Sequence, residues 1–155
     1  MSIELGDKLP ALRLAASGGK TITLNKDYAG KRLVVYFYPK DNTPGCTLEG
    51  QDFTRLYGAF QKANTDIVGV SKDSVKAHDN FCAKFGFPYL LLADTEGALC
   101  DAFGAIVEKS MYGKKYMGID RCTFLFSEKG KLLQTWRSVK AKGHAEEVLA
   151  AVQAI

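Results

Sequence analysis

Cysteine is the residue type that gives this sequence its capacity for redox chemistry. It occurs four times, as Cys46, Cys82, Cys100 and Cys122. Zinc sites usually bring thiols in close pairs such as C-x2-C, and dithiol oxidoreductases use C-x-x-C, but neither spacing is present. The first residues, MSIELGDKLP, show no export signal, so we expect a reducing, cytoplasmic location in which disulfides are transient and catalytic. Any disulfide would then belong to a reaction cycle.

Cys46 stands in the segment YPKDNTPGCTLEGQDF, where turn residues give way to a helical pattern. Pro44 suits the first position of a helix and Thr43 suits the N-cap, so Cys46 falls in the first turn. Backbone N–H groups at a helix start, together with a nearby cation, favour the reactive thiolate over the thiol. A lone cysteine can also be a small apolar side chain that follows a turn. Its place after the carboxyl end of a central strand favours the reactive interpretation.

A histidine could in principle activate the cysteine, as in cysteine–histidine hydrolases. The two histidines, His78 and His144, both lie outside the segment around Cys46. Such pairing is spatial and the sequence alone leaves it open. We prefer activation by the helix start and a cation.

The elements that must position Cys46 follow from hydrophobic periodicity. Strands alternate with helices, which predicts an α/β sheet covered on both faces, within a single domain over residues 1–155. Residues 11–24 predict a hairpin around the turn Ser17-Gly18-Gly19. The predicted strands are 32–38, 66–70, 89–92, 121–126 and 131–136, and the predicted helices are 44–63, 74–85, 97–103 and 143–154. The apolar side of the first helix is expected to consist of Leu48, Phe53, Leu56, Tyr57 and Phe60. Residues 104–120 are expected to form a loop or an irregular strand.

Composition narrows the classes of partner. The chain is 46% hydrophobic and 25% charged, with a formal charge of +4, which is typical of a folded domain. The longest strongly apolar run, LVVYFY, is too short to span a membrane. The lysines are scattered and no arginine-rich block accompanies them, so we expect neither a nucleic acid nor a membrane as partner.

The segment around Cys46 resembles the active site of the peroxiredoxins. Their pattern P-x-x-x-T-x-x-C is met by Pro39, Thr43 and Cys46, and the longer form FYPKDxTPGCT is similar to the peroxiredoxin Q, or bacterioferritin comigratory protein, subgroup. The resemblance continues at GDKLP near the start and at GIDR and TFL before and in the fourth strand of the predicted sheet. It implies a thioredoxin-like fold, with a central mixed sheet, helices on both faces and an N-terminal β-hairpin. It also implies a thiol peroxidase.

The resemblance assigns roles to these residues. Cys46 would be the peroxidatic cysteine, which a hydroperoxide oxidises to a sulfenic acid. The Thr43 hydroxyl, the N–H groups of Gly45 and Cys46 and the Arg121 guanidinium would be the donors that bind the peroxide. Pro39 would shield the sulfur from bulk water.

The resolving cysteine is the point at which this sequence departs from many of its relatives. They carry it five residues after the first cysteine, where Gln51 stands here. Cys82, in NFCAKFGF, resembles the resolving cysteine of the other version of the subgroup, whereas Cys100 and Cys122 are expected to be small buried residues. A disulfide between Cys46 and Cys82 would require both helices to unwind locally, and Gly45 and Gly50 fit such unwinding.

The resemblance also implies a reductant, thioredoxin or glutaredoxin. Cysteine supplies the redox chemistry, so we expect no cofactor and no metal. The chain ends at Ile155 soon after the last predicted helix, which favours a monomer. A peroxide sensor that signals through the same cysteines and a one-cysteine peroxidase are the alternatives, and a plain α/β domain with four buried thiols would react with no peroxide.

Overall fold

The computed structural model describes residues 2–155. In chain order its strands are β1 (Arg13–Ala15), β2 (Thr21–Thr23), β3 (Arg32–Phe37), β4 (Thr65–Ser71), β5 (Leu90–Ala93), β6 (Ile106–Met111), β7 (Lys114–Ile119), β8 (Cys122–Phe126) and β9 (Leu132–Trp136). Its α-helices are α1 (Leu24–Asp27), α2 (Pro44–Lys62), α3 (Val75–Phe85), α4 (Ala98–Phe103) and α5 (His144–Gln153). A short 3-10 turn, Ser17–Gly19, joins β1 to β2.

Five strands form the central sheet in the order β5-β4-β3-β8-β9. β3 pairs in parallel with β4, and β4 with β5, whereas β8 is antiparallel to both β3 and β9. Every residue of β3 after Arg32 is buried, as expected of a strand covered on both faces. The predicted mixed sheet is confirmed.

Two apolar layers cover this sheet. One includes Phe53 and Phe60 of α2, with Val148 of α5. The other includes Leu99 and Phe103 of α4. The sheet therefore separates two cores, and Cys46 belongs to the layer formed by α2, α3 and α5.

Hairpins account for the rest of the strands. β1 and β2 pair antiparallel, which confirms the N-terminal hairpin. The prediction of a loop or irregular strand over residues 104–120 is wrong, because β6 and β7 form a regular antiparallel hairpin. Its turn, Tyr112-Gly113, has positive φ at both residues, the geometry of a type I′ turn, but lacks the Asn-Gly or Asp-Gly signal. Its side chains are mostly exposed, so the alternation of buried and exposed residues that marks a strand is weak.

Two further details differ from prediction. Leu48 is 39% exposed and does not belong to the buried side of α2. The short helix α1 was not predicted, because four residues are too few for a periodic pattern. Within residues 2–155, no helix is long and apolar enough to cross a membrane, and no three His, Cys, Asp or Glu residues are grouped so as to hold a metal ion.

Candidate active site

Cys46 lies in the first turn of α2, where the sequence predicts it. The chain leaves the carboxyl end of β3 and reaches Asn42, whose φ is 58°, a left-handed conformation that asparagine tolerates better than most residues. Thr43 is then the N-cap and Pro44 begins the helix. Cys46 is 2% exposed, and the Gly45 and Cys46 N–H groups have no intrahelical acceptor at this position. The sulfur therefore lies at the positive end of the α2 dipole.

Arg121 is brought to Cys46 by strand pairing. Phe37, the last residue of β3, pairs with Cys122, the first of β8, so the residue before β8 lies beside the start of the active-site loop. Arg121 Nη2 donates a hydrogen bond to Cys46 Sγ over 3.4 Å. Burial acts to lower the pKa of Arg121, but Glu49 and Cys46 outweigh it and the pKa is raised. A permanent cation thus touches the sulfur.

Gly45 makes room for this guanidinium. A Cβ atom built on Gly45 would lie 3.0 Å from Arg121 Nη2, closer than carbon normally approaches. The backbone φ of Gly45 is not in the left-handed region. Steric clearance for Arg121 is thus the reason for glycine that the structure shows at this position.

Thr43 is the N-cap, but its hydroxyl bonds differently from the prediction. The Thr43 Oγ1 hydroxyl donates to the Lys40 carbonyl over 2.8 Å and makes no capping bond to the helix. Its one proton is therefore already used, and its oxygen remains as an acceptor. The expectation that Thr43 donates to a peroxide needs this correction.

Pro39 begins the loop between β3 and α2. Its side chain is exposed, while Tyr38 before it is buried. Shielding of the sulfur by Pro39 stays a prediction. Cys46 is already covered in the structure, since its exposed fraction is only 2%.

Glu49 is a site residue that the sequence reasoning missed. It is fully buried, and its Oε1 accepts from Arg121 Nη1 over 2.7 Å. Among the described residues, none donates to its second oxygen, Oε2. Burial raises the pKa of the Glu49 carboxyl from its usual 4.5 to about 7, against the opposing effect of Arg121. The sequence signal that could have identified Glu49 is its separation of three residues from Cys46, because residues three apart lie on the same face of a helix.

Cys82 lies in α3, which begins after the Ser74 N-cap and ends at Gly86. It is partly buried against the same apolar layer as Cys46. Burial raises the pKa of the Cys82 thiol, the Ser17 hydroxyl offsets part of this effect, and Asp41 and Asp79 add to the rise. Cys82 therefore stays a neutral thiol that lies against Ser17. All four cysteines are free thiols.

The remaining cysteines and the histidines have other surroundings. Cys100 and Cys122 are fully buried, which confirms that they are small core residues, and burial raises both thiol pKa values. His144 Nε2 lies 2.7 Å from the Thr123 hydroxyl, and His78 Nδ1 lies 2.6 Å from the Asp41 carboxylate. The polar side-chain partner of Cys46 is an arginine, which favours activation by a cation over a histidine base.

Comparison with known proteins decides the family. The model of the AhpC/TSA family matches residues 5–135 of the chain. Peroxiredoxin Bcp of Xanthomonas campestris is 56% identical over 151 residues, which cover 95% of this chain and 94% of that protein. The chain belongs to the AhpC/TSA family, the peroxiredoxins. It is thus a peroxiredoxin peroxidase, and the resemblance of the segment around Cys46 extends to the whole protein.

Solved peroxiredoxin structures have the same fold as this chain. A structure of the X. campestris bacterioferritin comigratory protein, from a study of its alkyl peroxide reduction, has a TM-score of 0.90 at 54% identity, and the match covers 97% of this chain and 98% of that one. The thioredoxin-like fold of the peroxiredoxins is thereby confirmed.

Two X. campestris peroxiredoxin Q structures are cysteine-to-serine variants. Both are 54% identical to this chain, with TM-scores of 0.90 and 0.89, and each match covers 98% of this chain and 96% of that one. The two substituted cysteines of that protein are 36 residues apart in its sequence, and Cys46 and Cys82 are also 36 residues apart here.

Proposed function

We propose that this peroxiredoxin is a two-cysteine thiol peroxidase in which Cys46 reduces hydrogen peroxide or an organic hydroperoxide and Cys82 resolves the product. The observation that carries the proposal is the hydrogen bond from the Arg121 guanidinium to the buried Cys46 sulfur at the start of α2. It combines a cation, a helix N-terminus and a nucleophile in one place. Such a site favours a thiolate and stabilises developing negative charge.

The first step is a displacement at oxygen. The Cys46 thiolate attacks one peroxide oxygen, an S–O bond forms, and the O–O bond breaks with its electron pair on the departing alkoxide or hydroxide. A proton completes the alcohol or water, and Cys46 is left as a sulfenic acid. Arg121 and the N–H groups of Gly45 and Cys46 are the donors to the peroxide oxygens. The Thr43 hydroxyl oxygen accepts a hydrogen bond from the peroxide O–H, because the Thr43 hydroxyl proton is already donated to the Lys40 carbonyl.

The second step joins the two cysteines. The Cys82 thiol attacks the sulfenic sulfur, an S–S bond forms, and the hydroxyl leaves as water. Support comes from the matching cysteine separation in the X. campestris variants. Since Cys82 lies against Ser17 and Arg121 covers Cys46, the bond requires the first turns of α2 and part of α3 to unwind.

The third step restores the thiols. A dithiol protein, thioredoxin or glutaredoxin, donates two electrons and two protons to the disulfide and is itself oxidised. This step requires the reducing environment of a cytoplasm. The proposal includes a monomer, because the groups that react with peroxide and form the disulfide, Cys46, Cys82 and Arg121, belong to one chain.

Turnover with thioredoxin, thioredoxin reductase and NADPH tests this function. We expect NADPH oxidation by the wild type on addition of hydrogen peroxide, and its loss in both Cys46→Ser and Cys82→Ser. Cys100→Ala is the matched control, since Cys100 is buried elsewhere, and it should retain turnover. Loss in Cys46→Ser alone would indicate a one-cysteine peroxidase.

A sensor would behave differently in the same assay. It would form the Cys46–Cys82 disulfide with one equivalent of peroxide but would consume no further NADPH. Mass spectrometry of the oxidised protein identifies the linked peptides. A disulfide that joins any other pair would contradict the role of Cys82.

A further inference from the structure

A buried acid–histidine pair connects the two segments that carry Cys46 and Cys82. Asp41 precedes Cys46 by five residues in the active-site loop, and His78 precedes Cys82 by one helical turn in α3. His78 Nδ1 lies 2.6 Å from Asp41 Oδ2, with His78 fully buried and Asp41 8% exposed. Residues four apart share a helix face, so His78 and Cys82 point to the same side of α3.

Both nitrogens of His78 have partners. Nε2 lies 2.9 Å from the Leu92 carbonyl, which can only accept, so Nε2 carries a hydrogen. Nδ1 faces a carboxylate oxygen, so a proton lies between His78 and Asp41. A buried charged or proton-sharing pair of this kind is costly to separate, because each member would be left unpaired.

Further hydrogen bonds connect the active-site loop to the residues around Asp41 and to the segment just before α3. The Tyr38 hydroxyl donates to Asp41 Oδ1 over 2.5 Å. The Asp41 backbone N–H donates over 2.9 Å to the carboxylate of Asp73, which lies just before α3 and also accepts from Ser71 over 2.6 Å. Asp41 therefore makes the buried polar contacts that hold the loop before Cys46 to the segment that carries Cys82, and an exposed contact from Lys84 Nζ to Asn42 Oδ1 over 3.4 Å lies beside them.

We propose that the Asp41–His78 pair is a latch between the two cysteine segments, and that His78 and Asp41 are positioning residues that set how fast Cys82 reaches the oxidised Cys46. While the pair is closed, the loop and α2 hold Cys46 against Arg121. When it opens, the loop and α3 are released together. This inference rests on the proposed function, since it needs a Cys46–Cys82 disulfide.

The latch controls a competition at Cys46. The sulfenic acid either loses water to form the disulfide or reacts with a second peroxide, which transfers one oxygen to give sulfinic acid and leaves as water or alcohol. A weaker latch speeds the first route, so less sulfinic acid forms at a given peroxide concentration. It also loosens the folded site, so the initial reaction with peroxide is slower.

The test is the ratio of disulfide to sulfinic acid, measured by mass spectrometry over a series of peroxide concentrations. For His78→Phe and Asp41→Asn we expect the ratio to rise about tenfold, which corresponds to about 1.4 kcal/mol. The double variant should show no further rise, because the pair acts as one unit. His78→Asn keeps a donor near the position of Nδ1 and should fall between wild type and His78→Phe.

Two controls separate the latch from general destabilisation. Asn80→Ala changes an exposed residue on α3, and Val152→Ala removes buried volume from α5, which packs against α2. Both should keep the wild-type ratio, although Val152→Ala lowers the free energy of unfolding. His78→Asn keeps the test decisive if His78→Phe does not fold.

The outcomes distinguish the two proposals. An unchanged or lower ratio in His78→Asn and Asp41→Asn, with the disulfide present in wild type, overturns the latch alone. Absence of the Cys46–Cys82 disulfide from oxidised wild type overturns both the proposed function and the latch.

Discussion

Arg121 is shared between two groups that each prefer a cation nearby. One amino group of its guanidinium donates to Cys46 Sγ and the other to Glu49 Oε1. The ion pair with Glu49 fixes the plane of the guanidinium and thereby its direction toward the sulfur. A lysine would lack this fork of donors, so arginine is needed at position 121.

Removal of the guanidinium should slow the chemistry. For Arg121→Gln we expect the second-order rate constant for hydrogen peroxide to fall about 100-fold, because one charged donor to the transition state is lost. Stopped-flow measurement of Cys46 oxidation gives the rate. Arg55→Gln is the matched control, since Arg55 is an exposed arginine on α2, and it should stay within about twofold of wild type. A normal rate in Arg121→Gln would refute the role of the guanidinium.

Glu49 should make stability depend on pH. Its pKa rises from 4.5 to about 7 on folding, so the folded state binds more protons than the unfolded state between these values. The stability present below pH 4.5 is therefore lost as the pH rises through about 7, by roughly 3 kcal/mol. Glu49→Gln lacks this titration. The free energy of unfolding of Glu49→Gln, relative to that of wild type, should therefore increase as the pH rises from 4.5 to about 7.

Urea unfolding between pH 4 and pH 8 measures this difference. Glu96→Gln is the matched control, because it makes the same substitution at an exposed glutamate away from Arg121. Parallel pH profiles of wild type and Glu49→Gln would show that the buried carboxyl does not titrate in this range.

At the scale of elements, helix α2 is held by packing and a hydrogen bond at Gly50, one turn after Cys46. A Cβ atom on Gly50 would lie 2.5 Å from Phe87 Cζ, so this glycine lets an aromatic ring pack directly on the helix backbone. The Tyr89 hydroxyl also donates to the Gly50 carbonyl over 3.1 Å. The prediction that Gly50 aids unwinding is not tested, but the structure shows a packing reason for it. Unwinding is therefore expected to stop before Gly50.

Two alanine substitutions on α2 test this packing. Gly50→Ala should lower the free energy of unfolding by about 1–3 kcal/mol, because the added methyl group overpacks Phe87. Gly58→Ala is the matched control on the same helix. A Cβ there meets nothing within 4 Å, so alanine should stabilise by up to about 1 kcal/mol through helix propensity. Similar values for the two variants in urea unfolding would contradict the contact.

At the scale of the whole molecule, the proposed cycle requires movement beside a rigid sheet. β3, β4 and β8 are almost entirely buried between the two apolar layers, so they open only with global unfolding. The helices that carry the cysteines, α2 and α3, pack on one face of this sheet and outside its hydrogen-bonded ladder. Local unwinding of these helices leaves the strand pairing intact.

Hydrogen exchange of reduced and disulfide-linked protein checks this division. We expect faster amide exchange after oxidation at residues 44–49 and 78–85, because their helical hydrogen bonds are lost. Exchange in β3, β4 and β8 should not change. Faster exchange throughout the sheet would show that oxidation loosens the whole fold.

Most of the fold could be predicted from the sequence, because its hydrophobic patterns are local. Continuous apolar runs predicted β3 and β4, and helical spacing together with Thr43 and Pro44 predicted the start of α2 within one residue. The hairpin of β6 and β7 could not be predicted, since its exposed strands show little burial pattern and its turn, Tyr112-Gly113, is unusual.

The sequence by itself determined the position of Cys46 in the first turn of α2, because caps and helix starts depend on adjacent residues. Only the tertiary structure decided that the guanidinium of Arg121 reaches the sulfur and pairs with Glu49. It alone joined Asp41 to His78. These contacts cross large separations in sequence, and strand pairing and helix packing set them, so no local pattern records them.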